Sequence, residues 1–282
     1  MPEKNDSKTV HVLVLTGFGL NCDYETAYAF ELAGAMATRV HINALISGEH
    51  GLHDYDILVF DGGFSWGDDH GAGVLEAVRM KSNLGPRLLE FVDAGKLVLG
   101  ICNGFQALVN LGLLPGFGGD YETRHVALTC NDCGRFRDDW VALLGNSDSP
   151  CVFTRGIRQI ELPIRHGEGK LYASPEVINQ LANYGQVVFQ YATPNGELAE
   201  GRFPFNPNGS IYDIAGICDP TGRVFGLMPH PEAFNHWTNH PDWTRTKESM
   251  KRQGRPVPTG PTPGVEILKN GVDYIKDNAG PK

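Results

Sequence analysis

The 282-residue sequence predicts an α/β fold with a largely parallel sheet, and three observations carry that expectation. Strand-like and helix-like segments alternate through the first half of the chain. One apolar run, Lys96–Ile101, leads directly into a G-x-C-x-G turn and a helical pattern. The composition is that of a globular chain: 41% hydrophobic, 20% charged and 10% aromatic, which supplies a sizeable core and argues against disorder. At about 150 residues per domain, the length allows one large domain or two small ones. The net charge of −9 argues against a nucleic-acid or anionic-membrane surface. Six cysteines and a polar Met1–Thr9 without a signal-peptide pattern point to a reduced, cytoplasmic protein.

The elements follow in order. Val10–Leu15 reads as a buried strand. Asp23–Ala33 reads as a helix, with Ala27, Phe30 and Ala33 at helical spacing and Gly34 as its stop. Arg39–Ile42 and Asp56–Phe60 read as strands, a Gly-rich loop covers 61–73, and helical segments fall within 74–94. Residues 97–119 are uncharged over a length that could span a bilayer. Asn103, Gln106, Asn110 and Pro115 interrupt them, so a strand, a tight turn and a helix are expected instead. Beyond residue 120 the pattern becomes strand-like at His125–Thr129, Ile160–Ile164, Gln186–Tyr191, Asp213–Cys218 and Arg223–Leu227, with a short helix at Pro175–Tyr184. Residues 1–250 are expected to form one domain. A Pro/Gly-rich loop, 251–264, then leads to a helix at 265–278 that packs back on it.

Cys102 lies between Gly100 and Gly104 at a strand-to-helix turn, the form of a nucleophile elbow with Cys in place of Ser. Glycines there permit a sharp turn and a strained central residue. A helix N-terminus favours thiolate and offers backbone N–H groups, that of Asn103 among them, to an oxyanion. A buried structural cysteine is the plain alternative. A thiol nucleophile needs a base, and His230 in M-P-H-P-E follows a strand-like run between two prolines. Glu232, two residues on in an extended segment, projects to the same side and can orient the ring. A solvated strand-end turn is the alternative.

G-I-C-N-G-F-Q with a distant M-P-H-P-E resembles the class I, or triad, glutamine amidotransferases. Six segments resemble one family among them, the glutaminase subunit or domain of phosphoribosylformylglycinamidine synthase: G-x-N-C-D-x-E-T-A at 19–27, G-G-F-S-W-G-D at 62–68, C-N-G-F-Q-A-L at 102–108, R-F-R-D-D-W-V at 135–141, H-G-E-G-K at 166–170 and G-R-V-F-G-L-M-P-H-P-E at 222–232. The resemblance implies a flavodoxin-like fold, with Cys102 as nucleophile, His230 as acid/base and Glu232 as its orienter. It implies oxyanion N–H groups from Gly63 and Asn103, and a substrate-binding part for Gly62 and Gln106. It also implies that glutamine is the substrate and that ammonia passes to an ATP-dependent synthase subunit, with or without a small accessory subunit. That synthase converts formylglycinamide ribonucleotide to its amidine in purine biosynthesis. No cofactor is expected on this chain; ATP and Mg belong to the synthase. His166 and Glu168 receive no firm role. Asp69-His70-Gly71, Ala233 and the 251–264 insert depart from the family pattern.

Other constellations are weaker. Cys130-x-x-Cys133 lacks the second pair that a structural zinc site uses, and His236 and His240 fall in a loop-like stretch, so no metal centre is expected. Trp237 and Trp243 either face a partner or pack over the domain edge. G-x-G at 17–19 is too short for a dinucleotide fingerprint, and no P-loop is present. Three alternatives stand beside the main reading: a class I amidotransferase of another pathway, a same-fold Cys hydrolase, and a non-catalytic partner-binding protein.

Overall fold

Short runs of β-branched and leucine side chains become strands buried on both faces, which is why they read as continuous apolar segments rather than alternating ones. The computed structural model describes residues 8–278, so the first seven residues of the expected 1–250 domain lie outside it. In chain order the elements are β1 (His11–Thr16), α1 (Asp23–Leu32), β2 (Met36–His41), α2 (Ile42–Ser47), β3 (Ile57–Phe60), α3 (Val74–Asp93), β4 (Leu97–Ile101) and α4 (Asn103–Leu111). There follow β5 (Ala127–Thr129), β6 (Arg137–Gly145), β7 (Gln159–His166), β8 (Lys170–Tyr172), α5 (Pro175–Asn183), β9 (Val187–Ala192), β10 (Ile214–Cys218), β11 (Val224–Leu227), α6 (Trp243–Arg252) and α7 (Pro263–Asp277).

Nine strands form one sheet in the order β2-β1-β3-β4-β11-β10-β9-β6-β7, and β5 pairs with β8 beside it. The strands from β2 to β11 run parallel, and the remaining pairings are antiparallel. Every residue of β3, β4, β10 and β11 is buried. The parallel half therefore has helices or loops over both faces, and its carboxyl edge is where loops converge, as open α/β sheets provide. Among the described residues no helix is long and apolar enough to cross a membrane.

Four elements had no clear local signal. Ile42, expected to end a strand, instead opens α2, whose N-terminus is capped by His41 accepting from the Asn43 N–H at 3.1 Å. β6 begins Arg-Asp-Asp, a charged start that hides a strand half-exposed along its first residues. β8 is only three residues long. α6 buries no residue at all, so it carries no apolar stripe to read. α6 and α7 also shorten the loop expected over 251–264, because Lys251 and Arg252 close one helix and Pro263 and Gly264 open the next. Thr262 caps α7 through the Val265 N–H at 3.4 Å.

The C-terminal helix reaches back to the parallel half. Asn270 donates to the carbonyls of Phe153 and Arg155 at 3.0 Å each, and Lys276 reaches the Gly34 carbonyl. A Cβ on Gly264 would stand 2.2 Å from the Pro231 carbonyl oxygen and 2.8 Å from that of Phe234. Thr262 Oγ1 donates to the same Phe234 carbonyl. The start of α7 thus presses directly behind the 231–234 turn.

Candidate active site

Cys102 occupies the junction between β4 and α4 with φ 52° and ψ −105°, a conformation costing on the order of 1–3 kcal/mol that the surroundings must impose. Its N–H donates to the Leu227 carbonyl in β11 at 2.8 Å, and its carbonyl accepts from the Gln106 N–H at 3.1 Å. The flanking glycines work differently from the expectation. Neither Gly100 nor Gly104 has a positive φ; the strained residue is Cys102 itself. Instead, a Cβ on Gly104 would lie 1.9 Å from the Phe60 carbonyl oxygen, and one on Gly100 would lie 2.6 Å from Leu108 Cδ1. They let α4 sit flush against β3 and β4.

His230 arrives from the neighbouring strand. β11 pairs parallel with β4, Leu227 opposite Ile101, so both strands deliver their next residues to one edge of the sheet. The His230 N–H donates to the Pro163 carbonyl at 2.8 Å. The chain bends at Met228 and Pro229 and turns at 232–233 rather than staying extended, yet Glu232 still reaches the ring: Nδ1 to Oε1 is 2.5 Å. Both side chains are buried. Burial disfavours the imidazolium, but the Glu232 carboxylate and the adjacent Cys102 thiol outweigh it and hold the ring well above its ordinary pKa. Nε2 has no hydrogen-bond partner, and the Cys102 sulfur lies 3.6 Å from the Arg165 carbonyl oxygen.

The Gly62-Gly63 turn follows β3. Gly62 lies against the imidazole, where a Cβ would come within 2.8 Å of Cε1. The Gly62 carbonyl accepts from the N–H groups of Asn21 and Cys22, both at 3.3 Å. A trans peptide points its N–H opposite to its carbonyl, so the Gly63 N–H is directed away from the 19–22 segment. Gly63, with φ 146°, lines the same cavity as Cys102. Asn103 opens α4, where N–H groups lack helical partners. Its side chain accepts from the Ser65 N–H at 3.2 Å and donates to Asp68 and to Gln106 at 3.1 Å each.

That cavity, of about 130 Å³, is lined by Gly63, Phe64, Asp68, Cys102, Gln106, Phe136 and the 165–168 stretch. Gln106 donates to the Glu168 carbonyl, so it also fixes the wall it faces. Glu168 accepts from the Ala72 N–H at 3.3 Å. Burial, with the Glu168 carboxylate adding, pushes Asp68 up to about 6 despite its bond from Asn103. His166 is buried and lowered to about 3 by that burial and by His230, so it is neutral. Asn131 Oδ1 accepts from the Gly169 N–H at 3.0 Å and lies 3.1 Å from His166 Nδ1, which makes Nδ1 the protonated ring nitrogen and leaves Nε2 an unpartnered acceptor.

All seven site residues singled out from sequence thus meet at one sheet edge. Asp68, Asn131 and Arg165 join them without having been singled out, although the quoted G-G-F-S-W-G-D segment contained Asp68 and the quoted H-G-E-G-K segment begins one residue after Arg165. Cys130 and Cys133 are exposed and join no potential ligand cluster among the described residues. His236 caps the 237–239 turn, and His240 pairs with Glu161 at 2.9 Å. Trp237 and Trp243 stack with centroids 6.1 Å apart over the domain edge, and Trp237 donates to the Gly260 carbonyl. A roomier groove beside them, about 420 Å³, has no cysteine or serine in its lining.

A buried His–Glu pair beside a strained cysteine on an α/β sheet edge has the form of a catalytic triad, and the class is that of glutamine amidotransferases: residues 9–275 match the model of the CobB/CobQ-like glutamine amidotransferase domain family. "Phosphoribosylformylglycinamidine synthase subunit PurQ" of Methanococcus maripaludis is 48% identical over 264 residues, covering 94% of this chain and 97% of that protein. The subunit of the same description from Dehalococcoides mccartyi is 44% identical over 95% of this chain and 98% of its own. A chain in the structure of PurLQS from Thermotoga maritima superposes with a TM-score of 0.68 at 27% identity, over 95% of this chain and all of that one. The chain belongs to the family of PurQ subunits of phosphoribosylformylglycinamidine synthase.

Proposed function

We infer that this chain hydrolyses glutamine to glutamate and ammonia and supplies the ammonia for the conversion of formylglycinamide ribonucleotide to formylglycinamidine ribonucleotide in purine biosynthesis. The observation that carries the reading is the strained Cys102 beside the buried His230–Glu232 pair. His230, made more basic by Glu232, takes the Cys102 proton, and the thiolate attacks the side-chain amide carbon of glutamine. The N–H groups of Gly63 and Asn103 hold the tetrahedral oxyanion. Its collapse breaks the C–N bond as His230 returns the proton to the departing ammonia. Water, deprotonated by the same imidazole, then cleaves the γ-glutamyl thioester and restores the thiol. Gln106 and the carboxylates of Asp68 and Glu168 face the amino-acid end of the substrate, where carboxylates suit an ammonium group.

The partner that consumes ammonia is an ATP-dependent synthase subunit, in keeping with the PurLQS description of the Thermotoga relative. ATP and Mg bind to that subunit, this chain works without a cofactor of its own, and the assembly is cytoplasmic. Cys102→Ala in the assembled complex should abolish glutamine-dependent amidine formation and leave ammonia-dependent formation intact. Glutaminase turnover by that variant at the parental rate would overturn the assignment.

A further inference from the structure

Cys22 takes no part in that mechanism, yet it stands at its centre. Its sulfur, a ring nitrogen of His230 and a carboxylate oxygen of Glu232 all lie within 4.8 Å of one another, and all three residues are buried. Cys22 stands on the Nδ1 side of the ring, and Glu232 there keeps an unused ligand atom, since its Oε2 is buried without a hydrogen-bond partner. Gly62 leaves the space open, because a Cβ there would lie 2.8 Å from His230 Cε1 and 3.0 Å from the Cys22 sulfur.

We propose that Cys22, His230 and Glu232 form an inhibitory binding site for Zn²⁺, distinct from the nucleophile. Thiolate, imidazole and carboxylate are the donors zinc favours, and a tetrahedral ion would separate them by about 3.4–3.6 Å, given metal–ligand distances of about 2.0–2.3 Å. From that 4.8 Å envelope a ligand pair closes by at most about 1.4 Å, while the Nδ1–Oε1 contact at 2.5 Å opens. On binding, the Cys22 thiol gives its proton to solvent, the imidazole binds in its neutral form, and the carboxylate bond to Nδ1 yields to the metal. Water completes the tetrahedron. The charges close: thiolate, Glu232 and Glu25 balance Zn²⁺ and Arg165, which is paired to Glu25 at 3.0 Å. An imidazole committed to metal cannot carry protons for Cys102, so occupancy switches hydrolysis off reversibly. The inhibition rests on His230 as proton carrier; the binding does not.

The test uses the full chain carrying Cys130→Ser and Cys133→Ser, both exposed positions, so that surface thiols do not compete. Calorimetry with zinc chloride should show one tight site, unaffected by excess Mg²⁺, and weakened at least about 100-fold by Cys22→Ser, beyond the ~10–100-fold typical of an outer-shell partner. Unchanged affinity in Cys22→Ser would overturn the proposal. Should that variant fail to fold, Co²⁺ replaces it as a probe: with Cys102→Ala added, the thiolate-to-cobalt charge-transfer band should persist, and its loss would assign the sulfur to the nucleophile and sink the idea. In the synthase complex, zinc should suppress glutamine-dependent but not ammonia-dependent turnover, reversed by chelator. Binding without that inhibition would refute the switch.

Discussion

One imidazole sealed from water, with a carboxylate on one nitrogen and a thiol near the other, concentrates the chemistry of this chain on His230. His230→Ala should lower glutaminase turnover by about 10²–10⁴-fold, the range for losing a positioned acid/base. A variant as fast as the parent would mean that another group moves the proton. Glu232→Gln keeps the shape and removes the charge that raises the ring. It should therefore cost less than His230→Ala and move the His230 limb of the rate–pH profile to lower pH; an unmoved limb would contradict the coupling. Gly62→Ala tests space rather than charge, since its methyl would meet Cε1 at 2.8 Å. It should cripple turnover while leaving the thermal midpoint within a few degrees. The three triad residues were legible because Gly and Pro punctuate the chain around Cys102 and His230. Asp68, Asn131 and Arg165 were not, because two separate loops and the end of β7 bring them in and no local spacing marks them.

At the scale of elements, α4 is held by absence of side chain. Gly104→Ala would drive a methyl into the Phe60 carbonyl at 1.9 Å, forcing α4 off β3, so the variant should lose several kcal/mol of stability or fail to fold. α3 carries a different liability. Glu76, wholly buried near Ser65 under the 61–73 loop, has its carboxyl pushed up to about 8 by burial. A raised folded pKa contributes stability below the unfolded value near 4.5 and loses it as pH rises toward 8. Glu76→Gln should therefore raise the urea midpoint at pH 8 by an amount that shrinks toward pH 5; a pH-independent difference would exclude the linkage. The legible elements were those buried on both faces, such as β3, β4 and β11, or amphipathic, such as α7. β6 and α6 failed that test for opposite reasons: one is a strand with a charged beginning, the other a helix with nothing to bury.

For the whole molecule, the Gly62-Gly63 turn limits how a synthase could regulate turnover. Flipping that peptide would break both bonds to its carbonyl, so the adjustable part lies further on, where Trp66, Gly67, Asp68 and His70 all hold positive φ. Asp68 bonds to Asn103 there, so pressure on the exposed His70 side can reach the elbow. Glutaminase rates should rise tens-fold or more when synthase, ATP and ribonucleotide are added, within the ~10²–10³ that one misdirected oxyanion donor costs. A free chain already at the rate of the complex would exclude such gating. The order of synthesis imposes a second control. Thr262 and Gly264 prop the 231–234 turn that carries Glu232, and α7 seals the prop by docking on Phe153 and Arg155. A nascent polypeptide therefore completes every strand of its sheet on the ribosome before the buttress of its acid is made. Glu232 is therefore without its buttress until translation has passed α7.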